Sequence, residues 1–131
     1  MDHILSFSEQ VIIDIFQDII DEYDMWESST DDYGRAIYPP IGGACYHIQD
    51  PLDSLSTTKI LGHNTLCHLN FFIDNRSSNY ENIVRDIECI KPRLKSMGYS
   101  MFLNKWDSRL AAGGRRMRII KVIDIRVEVP S

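Results

Sequence analysis

Long apolar runs are missing from this chain; Val11-Ile12-Ile13 is typical of the longest. A bilayer-spanning helix needs about 20 such residues in a row, so no membrane span is expected. No Lys or Arg precedes Arg35, the wrong charge for a secretory signal, and a cytosolic or virion-resident protein is expected. Cysteine is sparse. Cys45, Cys67 and Cys89 are odd in number and form no CxxC pair, which argues for reduced thiols over a disulfide framework. Gly42-Gly43 and Gly113-Gly114 lack the lysine and the strand-to-helix setting of a phosphate loop. No nucleophile elbow or cysteine-protease pattern is present. Neither a catalytic residue nor a cofactor is expected. Cations are outnumbered as well: 14 Lys and Arg against 19 Asp and Glu leave a net charge of −5. A general nucleic-acid coat needs a basic excess or stripe, so that class is set aside.

What is present is a strong structural pattern. From Met117 to Val129 the odd positions are apolar except Lys121, while the even positions are mixed and charged towards the ends. That period of two predicts a long strand with one face on a core and the other partly wet. Ser6-Phe7-Ser8-Glu9 has the form of a capping box, and Val11, Ile12, Ile15, Phe16, Ile19, Ile20 and Tyr23 then recur at helical spacing, with Ile13 off the stripe. Residues 24–35 read as an exposed acidic loop, and Pro39-Pro40-Ile41-Gly42-Gly43 as a turn. Ala44 to Gln49 is a short strand, Pro51 to Gly62 a polar connection, and Thr65 to Asp74 a second strand. Ser78-Asn79-Tyr80-Glu81 repeats the capping box ahead of a helix reaching Met97. Pro92 should kink or break that helix near residues 88–91, and Gly98 should end it. Tyr99 to Trp106 is a third strand, and Asp107 to Gly114 a hairpin connection into the last one. The sum is one α+β domain over residues 1–131: a mostly antiparallel sheet of about four strands with two helices packed on it.

Three constellations of polar residues compete for function. Cys45 and His47, alternating on one strand, with His63 and His68 near the next, are zinc-type ligands but match no ligand spacing. Asp124 and Glu128 on the last strand, with Lys121 or Lys105 nearby, could build a small metal-dependent nuclease or another enzyme. The third is segregated charge. Carboxylates crowd the first third of the chain, Asp18, Asp21 and Glu22 among them, while Lys105, Arg109, Arg115, Arg116 and Arg118 gather in or beside one hairpin. Complementary faces on a small domain can join copies head to tail, and these eight residues are the expected interface. Plain solvation, or protection of a sheet edge by charge, accounts for the same letters.

The order helix, strand, strand, helix, strand, strand resembles the tail terminator, or tail completion, proteins of long-tailed bacteriophages. The likeness rests on the helix 8–23, on the passage from Thr65-Leu66-Cys67-His68-Leu69-Asn70-Phe71-Phe72-Ile73-Asp74 into the helix 80–97, and on the strand 118–129 behind its basic turn. Pro39-Pro40 and Gly42-Gly43 have no counterpart in it. The resemblance implies a non-enzymatic virion protein, commonly a hexameric ring, that caps the tail tube and joins it to the head-tail connector in the neck. Its partners would be copies of itself, tail tube and connector proteins, with DNA only as cargo through the channel and no membrane. It would sit in the virion, and in the host cytoplasm during assembly. An acidic balance suits a channel along which DNA must slide.

Overall fold

A computed structural model describes residues 7–28, 39–50, 58–60, 63–112 and 116–128, excepting the side chains at 7–9, 48–50, 58–60, 63–66, 110–112 and 116–117. Helix α1 (Phe7–Glu22) buries Ile12, Ile15, Phe16, Ile19 and Ile20 and leaves Asp14, Gln17, Asp18, Asp21 and Glu22 exposed. It closes without glycine. Asp24 takes a left-handed φ of 51°, the Asp24 amide donates to the Asp21 carbonyl, and the Met25 amide donates to the Ile20 carbonyl. This two-bond closure favours glycine at the left-handed position, where any Cβ crowds the following carbonyl. A carboxylate there also faces the negative end of a helix with no cation in its last turn. Asp24→Gly should therefore stabilise the fold by about 1 kcal/mol. Thermal unfolding beside Asp24→Ala, which removes the charge but keeps the strain, separates the two contributions.

The chain continues through β1 (Trp26–Glu27), β2 (Ala44–Asp50), β3 (Thr58–Ile60), β4 (His63–Asp74), α2 (Tyr80–Ser96), β5 (Ser100–Ala112) and β6 (Arg116–Glu128). The sheet order is β1-β2-β4-β6-β5, with β3 added on β4, and only the β1–β2 pair is parallel. The expected four strands are the four long ones. The two extra strands are a two-residue and a three-residue piece within segments read as polar loops, too short for a period to show. Strand β5 runs past Trp106 to Ala112. Asp107, Ser108 and Arg109, expected in the hairpin connection, instead pair with Lys121, Ile120 and Ile119, and the pairing continues to Ala112 and Arg116. Polar side chains are tolerated there because β5 is an edge strand.

The second capping box is not formed: α2 starts at Tyr80 with Asn79 as N-cap, and no side chain caps it. The first falls on residues whose side chains are not described. Helix α2 runs unbroken through Pro92 instead of stopping, with Pro92 and Glu88 both on its exposed side, where solvent can replace the lost bond. Gly98 does end it. At φ 90° its amide donates to the Lys95 carbonyl, and the Tyr99 amide donates to that of Leu94.

Both helices cover one face of the sheet. Their core stripes meet Cys67, Leu69, Phe71 and Ile73 of β4, Ile123, Ile125 and Val127 of β6, and Met101 of β5. Burial of that many large side chains, each contributing roughly 1.5–3 kcal/mol, is the main source of stability. The other face holds a smaller buried cluster of Cys45, Phe72, Ile120 and Val122, which explains the apolar residues at two even positions of β6. Register shifts between Thr65 and Cys67 mark a bulge in β4 against β6, so the even alternation read from Thr65 to Asp74 is interrupted at its start.

Candidate functional site

The face of the sheet away from the helices gathers the polar groups of β2, β4 and β6. His47, Asn70, Asp124 and Asn104 form one row across four strands, and His68, Arg126 and Phe102 the next. His68 Nε2 lies 2.7 Å from Asp124 Oδ1, and Asn70 Nδ2 donates to the same oxygen at 2.6 Å. Beyond them Arg126 stacks over the Phe102 ring, 5.4 Å from its centroid, with Glu128 in ion-pair contact at 3.5 Å. Asp124 is thus a shared acceptor holding two side chains in place. Sequence alternation puts His68 and Asn70 on one side of β4, but only the register of β6 reveals their common partner.

Among the described residues neither the metal nor the nuclease constellation is assembled. Asp124 and Glu128 share a face, yet four residues of strand separate their backbones by about 13 Å, too far for one metal ion. Lys121 and Lys105 lie on the opposite, helix-side face: Lys121 reaches the Tyr80 ring and Asp107, and Lys105 reaches Glu88 at 3.3 Å. Cys45 and His47 do share a face, but Cys45 pairs in register with Phe72, four residues from His68. Burial pushes the Cys45 thiol up to about 12, against a hydrogen bond with Ser28 and the charge of Arg118, so it stays protonated at neutral pH. The side chain of His63 is outside those described. No group of three or more His, Cys, Asp or Glu that could hold a metal exists among the described residues. A surface recess beside the end of α1, lined by Tyr23, Trp26, Pro40 and Asn79, has no cysteine, histidine or cation in its described lining.

The interface residues expected from the sequence are scattered over several surfaces. Asp18, Asp21 and Glu22 are exposed on the outer side of α1, a helix with five carboxylates and no cation. Arg109 is exposed near the far end of β5, and Lys105 is exposed but engaged with Glu88. Arg115 is outside the described residues; Arg116 pairs in register with Ala112, and its side chain is not described. Arg118 is an internal tie, not an outward contact. Its Nε donates to Asp74 Oδ2 at 3.0 Å, its Nη2 donates to the Pro39 carbonyl, and three quarters of its side chain is buried. Exposed cations the sequence reading did not nominate lie on the outer side of α2: Arg85, Lys91, Arg93 and Lys95. Their helical position was legible; their significance required seeing α1 and α2 side by side in one layer.

Asp74 is the residue that sequence reading missed most completely. It is 2 % exposed, and its Oδ1 accepts the amides of Gly42 and Arg76 at 2.9 Å each while Oδ2 takes Arg118. Gly42, at φ 80°, is the third residue of the turn Pro40–Gly43, closed by the Gly43 amide on the Pro40 carbonyl. One carboxylate therefore joins the turn before β2, the end of β4 and the start of β6. Burial alone would raise its pKa; the two amides and Arg118 outweigh that and hold it below the ordinary carboxylate range.

Just past the C-terminal end of α1, the Tyr23 hydroxyl donates to Asp86 of α2 at 2.6 Å. Burial first, then Asp86, pushes that phenol up to about 12. Among the described residues no helix is long and apolar enough to cross a membrane. Compared with known proteins, the chain matches no family model, no curated protein and no solved structure.

Proposed function

We propose that this chain is a structural protein of the tail terminator kind, which closes into a homo-oligomeric ring, caps a phage tail tube and joins it to the head-tail connector. The observation that carries the reading is the separation of charge on the helical layer. The charged residues on the outer side of α1 are all acidic, whereas α2 exposes Lys91, Arg93 and Lys95 near its end and β5 exposes Arg109. Head-to-tail contact between such faces repeats around an axis until it closes. The order of long elements, helix, strand, strand, helix, strand, strand, supports the same reading. The carboxylates of β6 are occupied in holding other side chains.

Negative-stain images of the purified protein at low salt should show closed rings with an open channel. Antibody label on intact particles should fall where tail meets head. A field of single small particles, with label absent from virions, contradicts the proposal.

A further inference from the structure

A second self-contact surface lies on the sheet edge. Strand β5 is terminal in the sheet, and no strand pairs with its outer side among the described residues. It is also long, running from Ser100 to Ala112. A bare edge of that length is a template for another strand and is normally blunted by charge or covered. Among the described residues it carries two of the four exposed large hydrophobic side chains, Phe102 at 45 % and Trp106 at 48 % exposure. Its charges, Lys105, Asp107 and Arg109, are of both signs and grouped around its centre.

We infer that β5 pairs antiparallel with β5 of a second copy about a two-fold axis through Trp106. Strand register fixes the position of the axis. Trp106 is the middle residue of the strand, so an axis there overlaps both strands along their full length. That register sets Lys105 opposite Asp107 of the other copy, and Asp107 opposite its Lys105, while Arg109 faces Leu103. No like charges meet. Moving the axis one residue earlier puts Lys105 against itself; one residue later, Asp107 meets itself and Lys105 meets Arg109. Like charges directly opposite oppose pairing, so both neighbouring registers are disfavoured. An axis at Ser108 would match Asp107 with Arg109 but overlaps only the distal part of the strand. Within each copy Lys105 already touches Glu88 and Asp107 touches Lys121, so the contact continues an alternating row of charge from one molecule into the next. Trp106, on the other face of the strand, is covered by its own symmetry mate.

This contact uses none of the helical residues of the proposed ring contact and shares with that surface Arg109 of β5, which here faces Leu103. Joined with the ring, the two-fold would place two rings back to back.

Residues opposite each other on antiparallel strands have Cα atoms about 4.5–5.5 Å apart, within disulfide reach. Trp106→Cys, in a Cys89→Ser background that removes the exposed thiol of α2, should give a covalent dimer on mild oxidation. Cysteine at 104 or 108 should not. Lys105→Asp and Asp107→Lys should each weaken β5-mediated association by roughly tenfold or more, measured by sedimentation equilibrium. The double variant K105D/D107K restores opposite charges across the axis and should return to within about threefold of the parent. Its new repulsions with Glu88 and Lys121 are intramolecular, present in monomer and dimer alike. Absence of the 106 cross-link, or a double variant no better than the single ones, overturns the inference. Loss of rings with the cross-link intact would remove the proposed function and leave this contact standing.

Discussion

Asp74→Ala is expected to destabilise the fold by about 3 kcal/mol, lowering the melting temperature by roughly 10 °C. Two backbone amides and Arg118 converge on this carboxylate, which is almost fully buried. Removing it leaves a guanidinium three quarters buried with the Pro39 carbonyl as its one acceptor among the described residues. It also takes the acceptor from the Gly42 amide, so that the turn stays tied to the end of β4 by the backbone bond from residue 74 to the Gly43 carbonyl. An Arg118→Ala change should cost less, because the amides still satisfy Asp74. The double variant should cost less than the sum, since both changes break one contact. The acid limb carries the same information. Asp74 is held below the ordinary carboxylate range, so its contribution is complete above the unfolded value of about 3.9 and drains as pH falls through the folded value. Asp74→Asn should flatten that part of the stability curve. Equal stability of the wild type and Asp74→Ala would show that the turn, β4 and β6 hold together without it.

Reversing the acidic row of α1, with Asp18, Asp21 and Glu22 all changed to Lys, should weaken ring assembly by about a hundredfold or more, equivalent to roughly 3 kcal/mol. These side chains are exposed on the outer side of the helix, so the variant should fold normally by circular dichroism and melt near the parent. Only association should change. Mixing it with a variant carrying acidic residues at 91, 93 and 95 of α2 should recover assembly if these are the two halves of the contact. Unchanged assembly of the triple variant would place the interface elsewhere.

The sequence and the fold agree where a period is long. The α1 stripe from Ile12 to Ile20 and the odd positions of β6 from Ile123 to Val127 are buried together in one core. Agreement ends where a feature depends on register or on contact between distant segments. Nothing local announces that Asp124 will meet His68 and Asn70, 56 and 54 positions away, or that Asp74 will hold Gly42 across 32. Strand β5 is longer than its pattern because Asp107-Ser108-Arg109 reads as a turn until β6 lies beside it. Arg118 looked like part of a basic surface for the same reason: its acceptor is remote in sequence. Charged letters in a row are legible, whereas which of them are consumed internally is decided by packing.

The native mass of the purified 15.2 kDa chain, measured by sedimentation across protein concentration at low and high salt, bears most directly on the proposed ring. A single closed assembly of several copies is predicted at low salt, dissociating near 1 M salt, where the screening length falls to about 3 Å. A species that stays at one copy, or stops at two, at the lowest salt and highest concentration contradicts it.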